Sequence, residues 1–196
     1  MTKVLGVLGS LREGSHTRKL LQLTLEKVEA WGGRARLLDL LATPLPMYNP
    51  DLADESDAFR HARDLTLWAD AFILGCPDYH GSMSSTMTNF LDYFWHEFTG
   101  KLFGYIIASH EKGLTVQDQL RTAVRQCYGW SLPYGVGFNG DVDYDKEGRL
   151  TNPRIAERAE MLARDIVVYG GLLHRQFQAD LNKAPREPGF ARNFEL

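Results

Sequence analysis

Val4-Leu5-Gly6-Val7-Leu8-Gly9-Ser10-Leu11-Arg12-Glu13-Gly14-Ser15-His16-Thr17-Arg18 starts as a short apolar, β-compatible run, stops at Gly9-Ser10 and turns polar. From Ser15 to Trp31 the apolar residues Leu20, Leu21, Leu25 and Val28 recur at helical spacing, and Gly32-Gly33 closes the run. The stretch therefore reads as strand, loop, helix. The same alternation repeats downstream. Ala35 to Leu40 reads as a second strand, and Thr43 to Asp57, with three prolines, as an irregular connection. A helix is expected from Asp57 to Trp68. Ala71 to Cys76 follows as a third strand, and its lack of polar alternation implies burial on both faces.

Pro77 to Ser85 reads as a loop, and Met87 to Phe98 as a helix carrying Phe90, Leu91, Phe94 and Phe98 at helical intervals. Leu102 to Ala108 is a fourth strand, Gln117 to Tyr128 a helix, Leu132 to Phe138 a fifth strand and Ile155 to Leu173 a final helix. Strands alternating with helices in this way predict an α/β fold, a doubly wound five-stranded parallel sheet with helices on both faces. The chain shows no repeat and no interior linker, so one domain is expected over residues 1–178, with an irregular tail over 179–196.

Composition removes several function classes. With 22 Lys+Arg against 25 Asp+Glu the formal charge is −3, which lacks the basic excess a nucleic-acid or anionic-membrane partner demands. A chain of this mass hides roughly 70% of its unfolded surface, so neither disulfides nor a structural metal are needed for stability. The least charged run, Leu65 to Ser85, is broken by Asp70, Pro77, Asp78 and His80 and does not read as a membrane span. The apolar stretch at the N-terminus is too short for a signal peptide and meets Arg12 and Glu13 at once, which makes a cytoplasmic location the expectation. Cys76 and Cys127 stand far apart without a CxxC, as buried thiols of a reducing compartment do. His16, His61, His80, His96, His110 and His174 are scattered without metal-ligand spacing, so no metal is expected.

In open sheets of this kind ligands lie beyond the carboxyl ends of the strands, where strand order reverses. The loops that matter are then Gly9 to Thr17, Leu41 to Pro50, Cys76 to Ser84, Ser109 to Thr115 and Asn139 to Tyr144. In the first, Ser10, Ser15 and Thr17 supply hydroxyls, Arg12 a guanidinium fork, and the helix start free amides and a positive dipole end. That is the composition of an anion cradle, although a Ser or Thr there can also be a plain N-cap. GxxxxGK[ST] and GxGxxG are both absent, and the hydroxyls suit a terminal phosphomonoester better than a pyrophosphate. Asp39, at the end of the second strand, keeps a dinucleotide-binding dehydrogenase as a rival reading. In the Cys76 to Ser84 loop Pro77 stiffens the backbone, Gly81 permits close approach and Tyr79 offers a flat face beside a ring-shaped ligand. Asp78, His80 and Ser82 also suggest a hydrolase, but no GxSxG elbow is present.

Gly9-Ser10-Leu11-Arg12 with Ser15 and Thr17, together with Pro77-Asp78-Tyr79-His80-Gly81-Ser82 and Asn89-Phe90-Leu91-Asp92-Tyr93, resembles the NADPH-dependent FMN reductases and their chromate-reductase, quinone-reductase, azoreductase and arsenic-resistance kin. The resemblance implies a flavodoxin-like sheet with FMN at the strand ends. It places the phosphate on Ser10, Arg12, Ser15 and Thr17, and the isoalloxazine against Pro77, Asp78, Tyr79, His80 and Gly81, mostly through main-chain groups. Ser109 and Gly113 are the cofactor contacts expected from the next loop, where His110-Glu111-Lys112 departs from the glycine-rich turn of many relatives. Thr88 stands where many relatives carry lysine.

The resemblance further implies hydride transfer from NADPH or NADH to FMN, then electron transfer to a small acceptor such as a flavin, quinone, azo compound or metal oxyanion. The cofactor carries the chemistry, so no general acid is required, and His80 is the one candidate proton donor. Relatives are dimers or tetramers, so a homodimer or homotetramer is expected, with Met47 and Tyr48 of the Pro44-Leu45-Pro46-Met47-Tyr48 loop as contacts. Two other classes remain open on the residues. One is a flavodoxin-type electron carrier that binds FMN without oxidising NAD(P)H, against which the mild charge counts. The other is a non-enzymatic nucleotide-binding module.

Overall fold

The computed structural model describes residues 1–52, 56–185 and 187–194. Residues 53–55 of the expected Thr43–Asp57 connection, and 186, 195 and 196 of the expected tail, lie outside the described residues. Strand β1 (Lys3–Leu8) leads through the first loop into α1 (His16–Ala30), then β2 (Arg34–Asp39), α2 (Asp57–Trp68) and β3 (Ala71–Tyr79). A short β4 (Ser82–Met83) precedes α3 (Ser85–Asp92), β5 (Leu102–Ala108) and α4 (Leu114–Gln126). The chain continues with β6 (Trp130–Ser131), β7 (Val136–Phe138), the one-turn α5 (Gly140–Asp143) and the long α6 (Pro153–Asn182).

The sheet order is β2-β1-β3-β5-β6, with β7 also on β5 and every pairing except the β3–β4 hairpin parallel. Side chains alternate across the strands, and the alternation sorts the core into two layers. Leu5, Val7, Phe72, Leu74, Phe103, Tyr105 and Ile107 pack with α2, α3 and α4. Val4, Leu8, Ala71, Ile73, Leu102 and Ile106 pack with α1 and α6. Both faces of the central strands are thus covered, which is why they read as unbroken apolar runs, whereas edge strand β2 alternates exposed Arg34 and Arg36 with half-buried Ala35 and Leu37 and buries only Leu38.

Away from the loop after β3, three elements differ from the expectation. The fifth strand is two pieces flanking Pro133, where the ladder lapses and Arg158 and Arg121 side chains take the carbonyls of Gly135 and Leu132 instead. The helix expected over Met87 to Phe98 stops at Asp92; Phe94 and Phe98 stay buried, but in a tight 3-10 turn over His96–Phe98. The last helix runs on to Asn182, past the position where an irregular tail was expected, and a 3-10 turn at Phe190–Asn193 stacks Phe190 on Phe177.

Candidate functional site

The order β2-β1-β3 means that the chain leaves β1 in one direction and β3 in the other, so the loops after these two strands open toward each other. The first loop is tied down behind the opening. Gly9 N–H extends the ladder to the Gly75 carbonyl (2.8 Å), and the Gly9 carbonyl accepts hydrogen bonds from Ser84 Oγ (2.8 Å) and Thr86 Oγ1 (2.7 Å) at the start of α3. A Cβ on Gly9 would lie 3.0 Å from Met87 and from Ser84 Oγ, so the close approach needs glycine.

Beyond Gly9 the backbone turns through Arg12 to Ser15, where Ser15 N–H reaches the Arg12 carbonyl. Ser15 precedes α1 in an extended conformation, yet its side chain makes no capping hydrogen bond. Among the described residues the amides of His16, Thr17 and Arg18 find no acceptor either. Ser10, Ser15 and Thr17 are 2%, 6% and 1% exposed, and Arg12 lies at the surface above them. Three sheltered hydroxyls and a turn of unspent amides, with no acidic residue in that turn, make a donor set that fits a phosphate.

These groups open into a cleft with a cavity volume of about 200 Å³, whose other walls are Pro77, Asp78, Tyr79, Ser109 and Asn139 to Asp141. An adjoining cavity continues over His80, Gly81, His110, Lys112 and Gly113. The sequence expectation of a loop from Pro77 is corrected in part: β3 runs on to Tyr79, pairs with Ser82 and Met83, and turns on His80-Gly81 alone. Both turn residues have positive φ, 58° and 75°, which is the type I′ geometry of a two-residue hairpin. Asp78 braces it, one oxygen accepting Gly81 N–H (2.8 Å) and the other Ser109 Oγ–H (2.8 Å).

The structure places Ser10, Arg12, Ser15, Thr17, Pro77, Asp78, Tyr79 and Ser109 around the cleft, and His80, Gly81 and Gly113 around its extension. Gly113 sits at φ 64° just before α4, and a Cβ there would meet Ile107 at 2.4 Å. The hydrolase reading loses its geometry, because Asp78 is spent on Gly81 and Ser109 while Ser82 Oγ bonds Gln119 (3.2 Å). Asp39, the candidate ribose-binding acid, pairs instead with Arg18 and accepts Leu41 N–H (3.0 Å).

The fourth wall went unrecognised residue by residue. Asn139-Gly140-Asp141 follows the last strand, and the ring of His16 lies between Gly140 and Tyr144. Burial lowers the His16 pKa from its ordinary value, with Lys19 adding to that and Asp141 opposing it, so the ring is neutral near pH 7. Its signal was only a ring beside two hydroxyls at a helix start. Across the mouth His110 Nδ1 stands 3.8 Å from Asp141. Asn89, from the third motif, lies outside the cleft: its amide holds Tyr48 N–H and the Pro46 carbonyl, both at 2.8 Å, and so shapes the loop bearing exposed Met47 and Tyr48.

Comparison with known proteins adds the following. The sequence profile of the family described as NADPH-dependent FMN reductase matches residues 2–142. An FMN-dependent NADPH-azoreductase of Staphylococcus aureus is 28% identical over 179 residues, spanning 85% of this chain and 94% of its own. The structure is similar to that of FerB, a flavoenzyme NAD(P)H:(acceptor) oxidoreductase from Paracoccus denitrificans, with TM-score 0.73 at 21% identity, covering 88% of this chain and 99% of that one. It is also similar to a WrbA-like flavodoxin from Agrobacterium tumefaciens, with TM-score 0.62 at 17% identity, covering 88% and 99%. At those identities the two structural likenesses speak for the flavodoxin-like fold alone. Among the described residues no helix is long and apolar enough to cross a membrane.

Proposed function

From the premise that this chain belongs to the NADPH-dependent FMN reductase family, we propose that the cleft between its first and third strand-end loops is where FMN binds and where NAD(P)H-dependent reduction of a small acceptor takes place. The chain is an NAD(P)H-dependent flavoprotein reductase, and FMN with NADPH or NADH is its cofactor pair. One observation carries the site assignment: three buried hydroxyls and three unspent α1 amides open into the same cleft as Pro77, Asp78, Tyr79 and Ser109.

In this reading Ser10, Ser15, Thr17 and the amides of His16 to Arg18 hold the phosphate, and Arg12 closes over it as a charge-assisted donor. Pro77, Asp78, Tyr79, His80 and Gly81 line one side of the slot for the ring system, and Ser109 and Gly113 the other. When bound, FMN would supply the chemistry of hydride uptake from NAD(P)H and of electron delivery to the acceptor. The chain's own work is to fix the slot, to exclude water with Pro77 and Tyr79, and to offer main-chain donors where negative charge grows. Exposed His80 is our candidate for handing a proton to a reduced acceptor.

The acceptor is proposed to be a small aromatic molecule, an azo compound or a flavin, in line with the names of the relatives. We place the activity in one domain that takes in residues 1–178 and runs on to the end of α6 at Asn182, supported by the two core layers on a single sheet, with no nucleic-acid or membrane partner. We propose a cytoplasmic location, which two free cysteines support, and a homo-oligomer, which exposed Met47, Tyr48, Leu52 and Trp95 support. Titrating the purified chain with FMN and then adding NADPH without oxygen tests the function. Stoichiometric uptake followed by loss of the visible flavin absorbance is expected. No uptake overturns the site, and uptake without bleaching leaves an electron carrier.

A further inference from the structure

Asp78 occupies the first position past the last rung of the β3–β5 ladder, Pro77 opposite Ala108. There the two strands stop being tied by their backbones and the two loops begin to diverge. The carboxylate bridges the divergence. It accepts Gly81 N–H at 2.8 Å from the hairpin tip and Ser109 Oγ–H at 2.8 Å from the opposite loop, and Ser109 Oγ in turn accepts Glu111 N–H at 3.1 Å. One unbroken chain of hydrogen bonds thus runs from the tip of one slot wall to the other. Asp78 also lines both the phosphate cleft and the adjoining cavity, so it stands where the two meet. Among the described residues no lysine, arginine or histidine pairs with it, although His80, His110 and Lys112 line the same cavity. Within hydrogen-bonding reach its negative charge thus meets only dipoles, with Arg12 the cation lining the same cleft.

Resting on the FMN-site reading above, we propose that Asp78 is a positioning residue that sets the spacing of the two loops framing the flavin slot and, through its charge, lowers the potential at which a flavin held there is reduced. The second half follows from charge balance. NADPH delivers two electrons and one proton as a hydride and leaves as NADP⁺, so the flavin gains one negative charge until it takes a further proton from water. A fixed carboxylate at the slot opposes that gain, and a site with effective dielectric well below that of water does not screen it away. A reduced flavin so disfavoured is a stronger donor to its acceptor. Geometry and charge are separable here, because an Asn at this position keeps both bonds: its oxygen accepts Gly81 N–H and its amide donates to Ser109 Oγ.

The experiment is a reductive titration of the FMN-loaded protein against a reference dye, with the FMN dissociation constant measured in parallel, for the wild type, Asp78→Asn, Asp78→Ser and Ser109→Ala. Asp78→Asn is expected to hold FMN within about three-fold of the wild type while its midpoint potential moves positive. Asp78→Ser, which removes the charge and the reach to Ser109, is expected to move the potential the same way and to bind FMN at least about ten-fold more weakly. Ser109→Ala keeps the charge and breaks the bridge, so affinity falls and the potential stays near the wild type. Unchanged potentials in both charge-removing variants overturn the electrostatic role, and unchanged affinity in Ser109→Ala and Asp78→Ser overturns the bridging role. A wild-type chain that takes up no FMN overturns the site reading itself, a result distinct from either.

Discussion

The ring of His16 stacks on that of Tyr144, centroids 4.5 Å apart and planes 25° from parallel, and its other side faces Gly140, where a Cβ would sit 2.4 Å from Nδ1. This contact joins the start of α1 to the loop after the last strand and so fixes the far wall of the cleft. Gly140→Ala is expected to push the ring off its stack, at about 1–3 kcal/mol for overpacking, and to weaken FMN binding. The double variant Gly140→Ala with His16→Ala removes the clash. Denaturant unfolding of the four members of the cycle should show strong coupling. Additive costs would mean that the ring and the glycine do not meet.

Ser84 is asked to do two things with one hydroxyl. Its Oγ accepts Met87 N–H (3.3 Å) as the N-cap of α3 and donates to the Gly9 carbonyl (2.8 Å), a carbonyl shared with Thr86. Ser84→Ala should lose about 1–2 kcal/mol of stability, the usual cost of a cap, while Thr86 still holds Gly9. Adding Thr86→Val strips the Gly9 carbonyl of both side-chain donors. Stability should fall further and FMN affinity should drop, because the loop bearing Ser10 and Ser15 loses its anchor. Equal FMN affinity in the single and double variants would show that the anchor does not matter to the cradle.

What could be read in the chain before its structure follows the range of the forces involved. The hydroxyl cradle was legible because strand, turn and helix start are local, and residue type there reports directly on donors. Phe94 and Phe98 misled for a physical reason: apolar period reports burial, both are buried, and yet Tyr93 ends the α-helix before them. The split last strand had its warning in Pro133. The turn at His80-Gly81 did not announce itself, since positive φ is uncommon at residues other than glycine, and the turn is held here by Asp78 from within the hairpin and by pairing on either side. Partner choice over long separations was least legible, as with Asp39, which pairs with Arg18 on the neighbouring helix.

Arg12 lies exposed above the cradle, so its removal should leave the fold intact and act on binding alone. A charge-assisted hydrogen bond contributes about 1.5–3 kcal/mol. Arg12→Ala should therefore raise the FMN dissociation constant roughly 10- to 150-fold. Riboflavin, which has the ring system and no phosphate, provides the control: the variant and the wild type should bind it equally. An equal loss for both ligands would move Arg12 from the phosphate to the ring or to loop stability.

Lys101 makes a prediction far from the cleft. It is 7% exposed, its ammonium donates to the Thr66 carbonyl (2.9 Å), and burial presses its pKa down to about 8 against the pull of Asp70 and Glu97. An unfolded lysine titrates near 10.4, so between about pH 8 and 10 the unfolded chain binds more protons than the folded one and stability rises with pH across that window. Above it the sign reverses, since burial raises Tyr105 and Tyr144 to about 12 and the unfolded chain ionises its tyrosines first. At neutral pH holding the buried amine charged costs about 3 kcal/mol, a figure already net of the groups that favour the charge. Lys101→Met should then unfold at a higher temperature than the wild type at pH 7, with the gap closing as pH approaches 10. A gap that stays constant with pH would show that the amine reaches solvent and titrates as it does in the unfolded chain.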